Sequence, residues 1–374
     1  MIPRVELNSS PNDEILLFTL SGVNVSLANA IRRTILSDIP LVVFRTTPYK
    51  ENKANIISNT SRLNNEILKQ RLSCIPIHIK DPDSFPLKNY LLEVNVENIT
   101  NTTMYVTTEN FIVKDLTTGK PINETTNREI FPPNDYTGYF IDFVRLRPKV
   151  SEELPGEKIN LTCEFSIGNA KESGMFNVVS TCSYGYTVDA VAQEAILEKQ
   201  RQKWKDEGKS KEDVDFETKN WKLLDGMRVT KQDSFDFIIQ SIGIYDNIEL
   251  INKACEILVD NLEFLDSLIE KDELKIEKSQ NTMANSYDII LENEDYTIGK
   301  VLEYFLYTRF YETKTLTFCG FKKMHPHDSQ SIIRVAYKDV IDKSTIKGNL
   351  KECIEESKQV FTKIRKEFLK MVKS

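Results

Sequence analysis

Residues that could hold a metal ion are present in this chain of 374 residues, but they are widely separated. A structural zinc site uses four nitrogen or sulfur ligands at close spacing. No Cys-x-x-Cys pair occurs, and His325 and His327 have no cysteine beside them. We therefore predict no metal and no cofactor. The six cysteines are Cys74, Cys163, Cys182, Cys255, Cys319 and Cys353.

Catalytic motifs are also missing from the sequence. It contains no phosphate-binding Gly-rich loop, no nucleophile elbow and no paired-histidine zinc motif. Two-metal catalysis needs clustered aspartates, whereas Asp81 and Asp83 flank Pro82 in a predicted turn. We therefore predict no catalytic residues, although an unrecognised enzymatic site in the β-rich middle of the chain remains an open alternative.

Two adjacent arginines, Arg32 and Arg33, lie on a helix predicted within Ser26–Pro40. Ser26 is the expected N-cap, and Pro40 disfavours helix just before it. Adjacent helical residues point about 100° apart, so both arginines cannot lie opposite the core. They are either a solvated pair or contacts for a partner. The apolar face consists of Leu27, Ala30, Ile31 and Ile35.

A second capped helix is predicted within Asn59–Ile77, and it carries Glu66 and Arg71. It ends in an extended Ile-Pro-Ile segment. From Arg45 to about Tyr186 the sequence is rich in short alternating segments, which predicts a mainly β region. The following stretch, 203–231, is dense in both charge signs and predicts a solvated loop or exposed helix.

Two further helices carry apolar residues at the 3,4 spacing of a helix that packs along a partner helix. They are predicted at Asn247–Ile269 and Leu350–Val372. Each follows a strand, a capped helix and a second strand, so one plan of elements occurs twice. The seam positions are Ile248, Ile251, Cys255, Leu258, Leu262 and Leu265 in the first, and Ile354, Ser357, Phe361, Ile364, Phe368 and Met371 in the second.

Composition limits the classes of function. The net charge of −7 argues against a chain whose main role is gripping nucleic acid. No run of about 18 apolar residues occurs, and the N-terminal segment is not typical of a signal peptide, so we expect no membrane span. Scattered cysteines indicate an intracellular, reducing compartment.

The first two helices together carry the pattern NAIRR…IP…NTS.L..E.L..RL..IPI, which resembles the alpha-subunit family of multisubunit RNA polymerases, and especially the third-largest subunit of the eukaryotic and archaeal enzymes. Glu294–Leu306, Cys319–Val335 and the C-terminal helix resemble the small alpha-like subunit that pairs with it. The resemblance implies an α+β fold with two alpha-like dimerisation modules in one chain, the first carrying a mainly β insert. The expected domains are 1–44 with 232–270, the insert at 45–231, a linker at 271–286, and the second module at 287–374.

The resemblance also implies a function. The chain would be a non-catalytic assembly platform of a DNA-directed RNA polymerase. Expected partners are the largest and second-largest subunits and small zinc-binding assembly subunits, with DNA held only indirectly through the complex. Relatives often hold zinc or an iron–sulfur cluster in the insert, and this chain departs from them. The implied partner-interface residues are Asn29, Arg32, Arg33, Glu66 and Arg71; the implied module-pairing residues are Leu258, Leu262, Leu265, Phe361, Ile364 and Phe368.

The fusion of two subunits, in a chain rich in Asn, Lys and Ile and poor in Gly, is typical of a large DNA virus. The expected location is then the host cytoplasm, in virus factories, and the virion. A stand-alone interaction or regulatory protein that uses the same dimer fold is the other open alternative.

Overall fold

The computed structural model describes residues 1–10, 13–151, 155–280 and 282–372. The predicted turn at Leu154–Gly156 lies partly outside these residues. Helices α1 to α8 span Val25–Ser37, Asn65–Ser73, Glu124–Ile130, Ala190–Asp206, Lys211–Leu223, Asn247–Glu270, Tyr296–Leu306 and Lys343–Val372. Strands β1 to β9 span Arg4–Leu7, Ile15–Ser21, Leu41–Val43, Ala54–Asn59, Tyr90–Glu97, Met104–Thr107, Ile112–Asp115, Lys120–Pro121 and Asp142–Leu146. Strands β10 to β17 span Lys158–Glu164, Ser166–Gly168, Val179–Val188, Thr230–Ser241, Ile276–Lys278, Ser286–Glu292, Leu316–Lys322 and Gln330–Tyr337.

The predicted α+β class is confirmed, and the chain divides into two units. Unit 1 contains Met1–Ile35, Thr181–Gln240 and Asn247–Ser374, and unit 2 contains Leu36–Ser180 and Ser241–Asp246. None of the described helices is long and apolar enough to cross a membrane.

Unit 1 has two four-stranded sheets, with strand orders β1-β2-β13-β12 and β14-β15-β17-β16. Helix α1 follows the first sheet's strand β2, and α7 follows β15 of the second. In α7, a Cβ on Gly299 would lie 2.0 Å from the ring of Phe321 on β16. Only glycine therefore permits this close approach of helix and strand.

Unit 2 is built on a five-stranded sheet with the order β4-β10-β5-β7-β8 and two ribbons, β3–β11 and β6–β9. Strand β5 shows the alternation of a half-buried strand, because Leu92 and Val94 are fully buried and Asn95 is exposed. Aromatic rings fill the same core, with the ring centroids of Phe111 and Phe143 5.4 Å apart.

The predicted start of α1 at Ser26 is wrong. Helix α1 begins at Val25, and its cap is the side chain of Asn24, whose Oδ1 accepts from the Ser26 amide at 2.9 Å. Helix α2 lies within the predicted stretch Asn59–Ile77 and begins at Asn65, because Asn59 ends strand β4 and Asn64 caps the helix by accepting from the Ile67 amide. In both cases an asparagine takes the capping role, which it performs as well as serine.

The expected domain bounds also differ from the observed units. The insert was expected to reach residue 231, but 181–240 belongs to unit 1, because β12 pairs with β13 there. The charged stretch forms the end of α4 and all of α5, which Ser210 caps through a reciprocal capping box. The expected linker contains β14, which pairs with β15. Helix α8 begins at Lys343, seven residues before the expected start.

Candidate functional site

Arg33 of α1 contacts the N-terminus of α7 within unit 1. Its Nη2 lies 2.5 Å from Oδ2 of Asp295, and its Nε donates to Oγ1 of Thr297 at 2.9 Å. Asp295 is the N-cap of α7, since its Oδ1 accepts from the Thr297 amide at 2.8 Å. Burial raises the pKa of Asp295, but the hydrogen bonds from Thr297 and the positive charge of Arg33 outweigh burial and lower the pKa overall.

Arg32 points to a different place from its neighbour. Its Nε and Nη2 both donate to Oδ1 of Asn29, at 3.0 and 2.8 Å, one turn earlier on the same helix. The structure thus brings Asn29 and Arg32 together, whereas the side chain of Arg33 contacts the start of α7. Arg32 is half-buried, and its positive charge lowers the pKa of Tyr184. Burial of Tyr184 has the larger effect, so that pKa is raised overall.

The contact between α1 and α7 is not reciprocal. Arg33 is nine residues after Asn24, the residue that caps α1, and Tyr304 is nine residues after the α7 cap Asp295. A tyrosine therefore stands where the second helix could have carried an arginine. At the start of α1, Asn24 and Tyr304 both line a cavity of about 510 Å³ in unit 1.

Helices α6 and α8 pack against each other in unit 1. The six residues predicted to pair modules are all buried; they are Leu258, Leu262, Leu265, Phe361, Ile364 and Phe368. The Phe368 ring also meets the edge of Phe18 on β2, with centroids 5.0 Å apart. The helix pair therefore belongs to the core of unit 1, and Phe368 joins it to the first sheet.

Ion pairs show the relative direction of these two helices. Glu256 pairs with Arg365, Glu263 with Lys358 at 3.7 Å, and Glu270 with Lys351 at 2.9 Å. The pairs recur every seven residues and run in opposite order along the two helices. The helices are therefore antiparallel, with a row of acidic groups on α6 facing basic groups on α8.

Glu66 and Arg71 lie in unit 2, on α2. Arg71 donates from Nε to the carbonyl of Phe143 at 2.8 Å and from Nη2 to the carbonyl of Asp142 at 2.7 Å. Arg71 thus ties α2 to strand β9 through main-chain acceptors. Glu66 is exposed on the first turn of α2.

Burial disfavours the reactive thiolate form in five of the six cysteines. All six cysteines are free, and burial raises the pKa values of Cys163, Cys182, Cys255, Cys319 and Cys353 to about 12. These thiols are therefore protonated at neutral pH and are poor nucleophiles. No group of three or more possible metal ligands occurs among the residues that the structure describes. The predicted absence of a metal stays a prediction.

Asp295 and Thr297 are site residues that the sequence analysis missed. Asp295 precedes an apolar helical pattern, so the usual N-cap preference could have identified its role in α7. Its second role, as the acceptor for Arg33, joins residues 262 positions apart, and no local pattern indicates it. The same is true of the partners in the α6–α8 ion pairs.

Comparison with protein families gives two matches along the chain. Residues 17–262 match the RNA polymerase Rpb3/Rpb11 dimerisation domain, and residues 286–367 match a second model of that description. The first match contains α1 and most of α6, and the second contains α7 and most of α8.

Curated relatives are subunits of RNA polymerases. The chain is 32% identical over 187 residues to the DNA-directed RNA polymerases I and III subunit rpac1 of Dictyostelium discoideum, covering 48% of this chain and 50% of the relative. It is 25% identical over 181 residues to subunit Rpo3 of Picrophilus torridus, covering 46% and 60%. The human subunit RPAC1 is 26% identical over 200 residues, covering 50% and 55%. The matches thus span about half the length of these relatives.

Proposed function

The chain belongs to the family of the RNA polymerase Rpb3/Rpb11 dimerisation domain, and from this we propose that it is a non-catalytic assembly platform of a DNA-directed RNA polymerase. In this proposal its two matched regions form an alpha-like heterodimer within one chain. The largest and second-largest subunits, which supply the active site, assemble on it.

The antiparallel contact between α6 and α8 carries the proposal. The first matched region ends within α6, and the second ends within α8. Burying a large apolar side chain contributes roughly 1.5–3 kcal/mol, so a seam of such residues can rival the net stability of a domain. The contact of Arg33 with Asp295 supports the same pairing at the other pair of helices, α1 and α7.

The role of the chain in this proposal is to present a rigid binding surface to the large subunits rather than to catalyse a reaction. Joining the two modules in one chain gives the second a high effective concentration near the first, so pairing does not depend on a collision between separate subunits. Glu66 and Arg32 stay proposed partner contacts, as does Arg71, which also ties α2 to β9.

Three further parts of the proposal concern context. Small zinc-binding assembly subunits would bind beside the platform, and DNA would be held by the complex rather than by this chain, consistent with the net charge of −7. A source in a large DNA virus, with the protein in host-cell virus factories and in the virion, rests on the fusion and the composition. Detecting the chain in purified virions tests that source.

Cleavage of the chain between its two modules tests the pairing. A protease site is inserted after Asp272, whose left-handed backbone lies in the exposed turn between α6 and β14. A cut near Gln280 would be ambiguous, because β14 would stay with the first half while pairing with β15 of the second. The purified full chain is cleaved and examined by size-exclusion chromatography.

We expect the two fragments to elute together and the Leu258→Asp variant to release them, because a charge would then lie in the α6–α8 seam. Phe264→Asp is the matched control, since Phe264 is 63% exposed on the same helix. Fragments that separate in the parent chain would show that the seam does not pair the modules.

A further inference from the structure

A groove of about 320 Å³ in unit 2 lies between the segment leading into α2 and the ribbon of β6 and β9. Four arginines line it, which is unusual in a chain with a net charge of −7. The aromatic side chain of Tyr105 and the buried carboxylate of Glu157 also line the groove. These six residues are Arg62, Arg71, Tyr105, Arg145, Arg147 and Glu157.

Among the residues that the structure describes, a carboxylate pairs with only one of the four arginines. Arg147 donates from Nε to Oε1 of Glu157 at 2.5 Å, and its amide donates to Oε2 at 2.7 Å. Glu157 is 6% exposed, so this pair is a fixed part of the groove. Arg71 is held by two neutral carbonyls, which orient its guanidinium without cancelling its charge.

The other two arginines, Arg62 and Arg145, are exposed. Among the described residues neither forms a hydrogen bond or an ion pair. The groove therefore presents three positive charges that pair with no carboxylate in the described part of the chain. Fixed positive charges close together repel one another, and a bound anion would relieve that repulsion.

Tyr105 adds an apolar contact to this charged surface. It is 54% exposed on β6 and lies directly opposite Arg145 of β9 in the antiparallel register. Tyrosine and arginine are the residue types enriched at the energetic centres of protein interfaces. Guanidinium groups also bind carboxylates through two parallel hydrogen bonds, which favours a carboxylate-bearing partner.

We propose that this groove docks an acidic segment of a partner polypeptide. The inference rests on the proposed function, because it assigns to unit 2 a surface on which another subunit of the complex assembles. A nucleic acid fits less well for two reasons. A nucleic-acid strand carries a phosphate at every nucleotide, so it would also place phosphates beside the carboxylate of Asp142, and its uniform negative charge is repelled by the acidic chain as a whole. A polypeptide can match both signs of charge.

A labelled peptide tests the groove directly in the full chain. The probe is a fluorescein-labelled peptide with six glutamates, and binding is measured by fluorescence anisotropy at fixed ionic strength. We expect Arg62→Glu with Arg145→Glu to weaken binding by roughly tenfold or more, as loss of close charge complementarity does at interfaces. The matched control is Lys88→Glu with Arg128→Glu, because both residues are exposed in unit 2 and the charge change is the same.

An equal loss in the control pair would show that only net charge matters and would overturn the proposal. So would the absence of peptide binding to the parent chain. Oligouridylate of the same charge is the competing probe. If it binds more tightly than the peptide, and the arginine pair abolishes that binding, the groove is a nucleic-acid site and the proposal is wrong.

Photocrosslinking tests the groove in the assembled complex. p-Benzoylphenylalanine replaces Tyr105, and crosslinks are mapped by mass spectrometry of the complex purified through this chain. In a complex that retains the large subunits, crosslinks to an acidic segment of another subunit support the proposal, and crosslinks only to other segments, or none, overturn it. If no large subunit copurifies, the proposed function fails while the peptide measurement still decides the groove. If the large subunits copurify but position 105 gives no crosslink to an acidic segment, the groove proposal fails and the proposed function stands.

Discussion

Arg33 on α1 is bound to Asp295, the N-cap of α7, with Nη2 and Oδ2 2.5 Å apart. One carboxylate therefore serves two helices, because its other oxygen caps α7 by accepting from the Thr297 amide. The equivalent position on α7 holds Tyr304, so the contact occurs in one direction only. If the two modules pair as proposed, this asymmetry gives them distinct roles.

The energy of this contact is measurable by a double-mutant cycle. Arg33→Met keeps most of the side-chain stem, and Asp295→Asn keeps a capping oxygen while removing the charge. We expect a coupling free energy of about 1 kcal/mol between the two changes, typical of a partly exposed ion pair. Chemical denaturation of the parent, both single variants and the double variant gives this value. Additive effects would mean that the residues are neighbours without being coupled.

The α6–α8 seam is expected to be sensitive to charge. Leu258→Asp and Phe361→Asp should each lower the free energy of unfolding by about 3 kcal/mol or more, because both side chains are fully buried. Phe264→Asp, on the exposed side of α6, should change it by about 0.5 kcal/mol or less. Thermal melting of the three variants checks the order. Equal effects at Leu258 and Phe264 would contradict the assignment of the seam.

Acid should weaken the α1–α7 contact. The folded-state pKa of Asp295 is below its usual value, so the contact contributes stability above the unfolded pKa of about 3.9 and loses it as the pH falls through the folded value. Below about pH 4, we expect the free energy of unfolding of the parent chain to fall more steeply with decreasing pH than that of the Asp295→Asn variant. Denaturation curves across this range provide the test. Parallel pH profiles would show that Asp295 does not contribute.

The six thiols should differ sharply in reactivity. Cys74 is exposed, whereas burial raises the pKa of five other thiols to about 12. A thiolate-specific reagent at pH 8 should therefore label Cys74 fast, and Cys74→Ser should remove that fast phase. Cys319, which is half-buried, should follow more slowly. Fast labelling of Cys255 in the folded chain would contradict the packing of α6.

Local pattern was sufficient for the long elements. The seams of α6 and α8 follow from residue spacing alone, because a helix that buries one face must place apolar residues three and four apart. The spacing did not show the antiparallel direction, which depends on pairs such as Glu256 with Arg365 about a hundred positions away. Strand β14 was missed because a three-residue strand paired on one side only needs little apolar content.

The candidate site was predictable only in part. The arginine pair was identified from its unusual place on an apolar helix, but its two members have different partners, Asn29 and Asp295. The orientation of an arginine side chain depends on the hydrogen-bond acceptors that the fold brings near it. Adjacent residues on a helix face different neighbours, so their acceptors differ. The groove around Arg145 was not predicted for the same reason, since its arginines come from three separate segments.

Mass spectrometry of the native complex, purified through a tag on this chain, tests the central claim most directly. We predict one copy of the chain together with the largest and second-largest RNA polymerase subunits. The Arg32→Glu variant, which changes a contact outside the α1–α7 ion pair, should reduce their recovery while the chain stays folded. A chain that is recovered folded and without either large subunit would contradict the account.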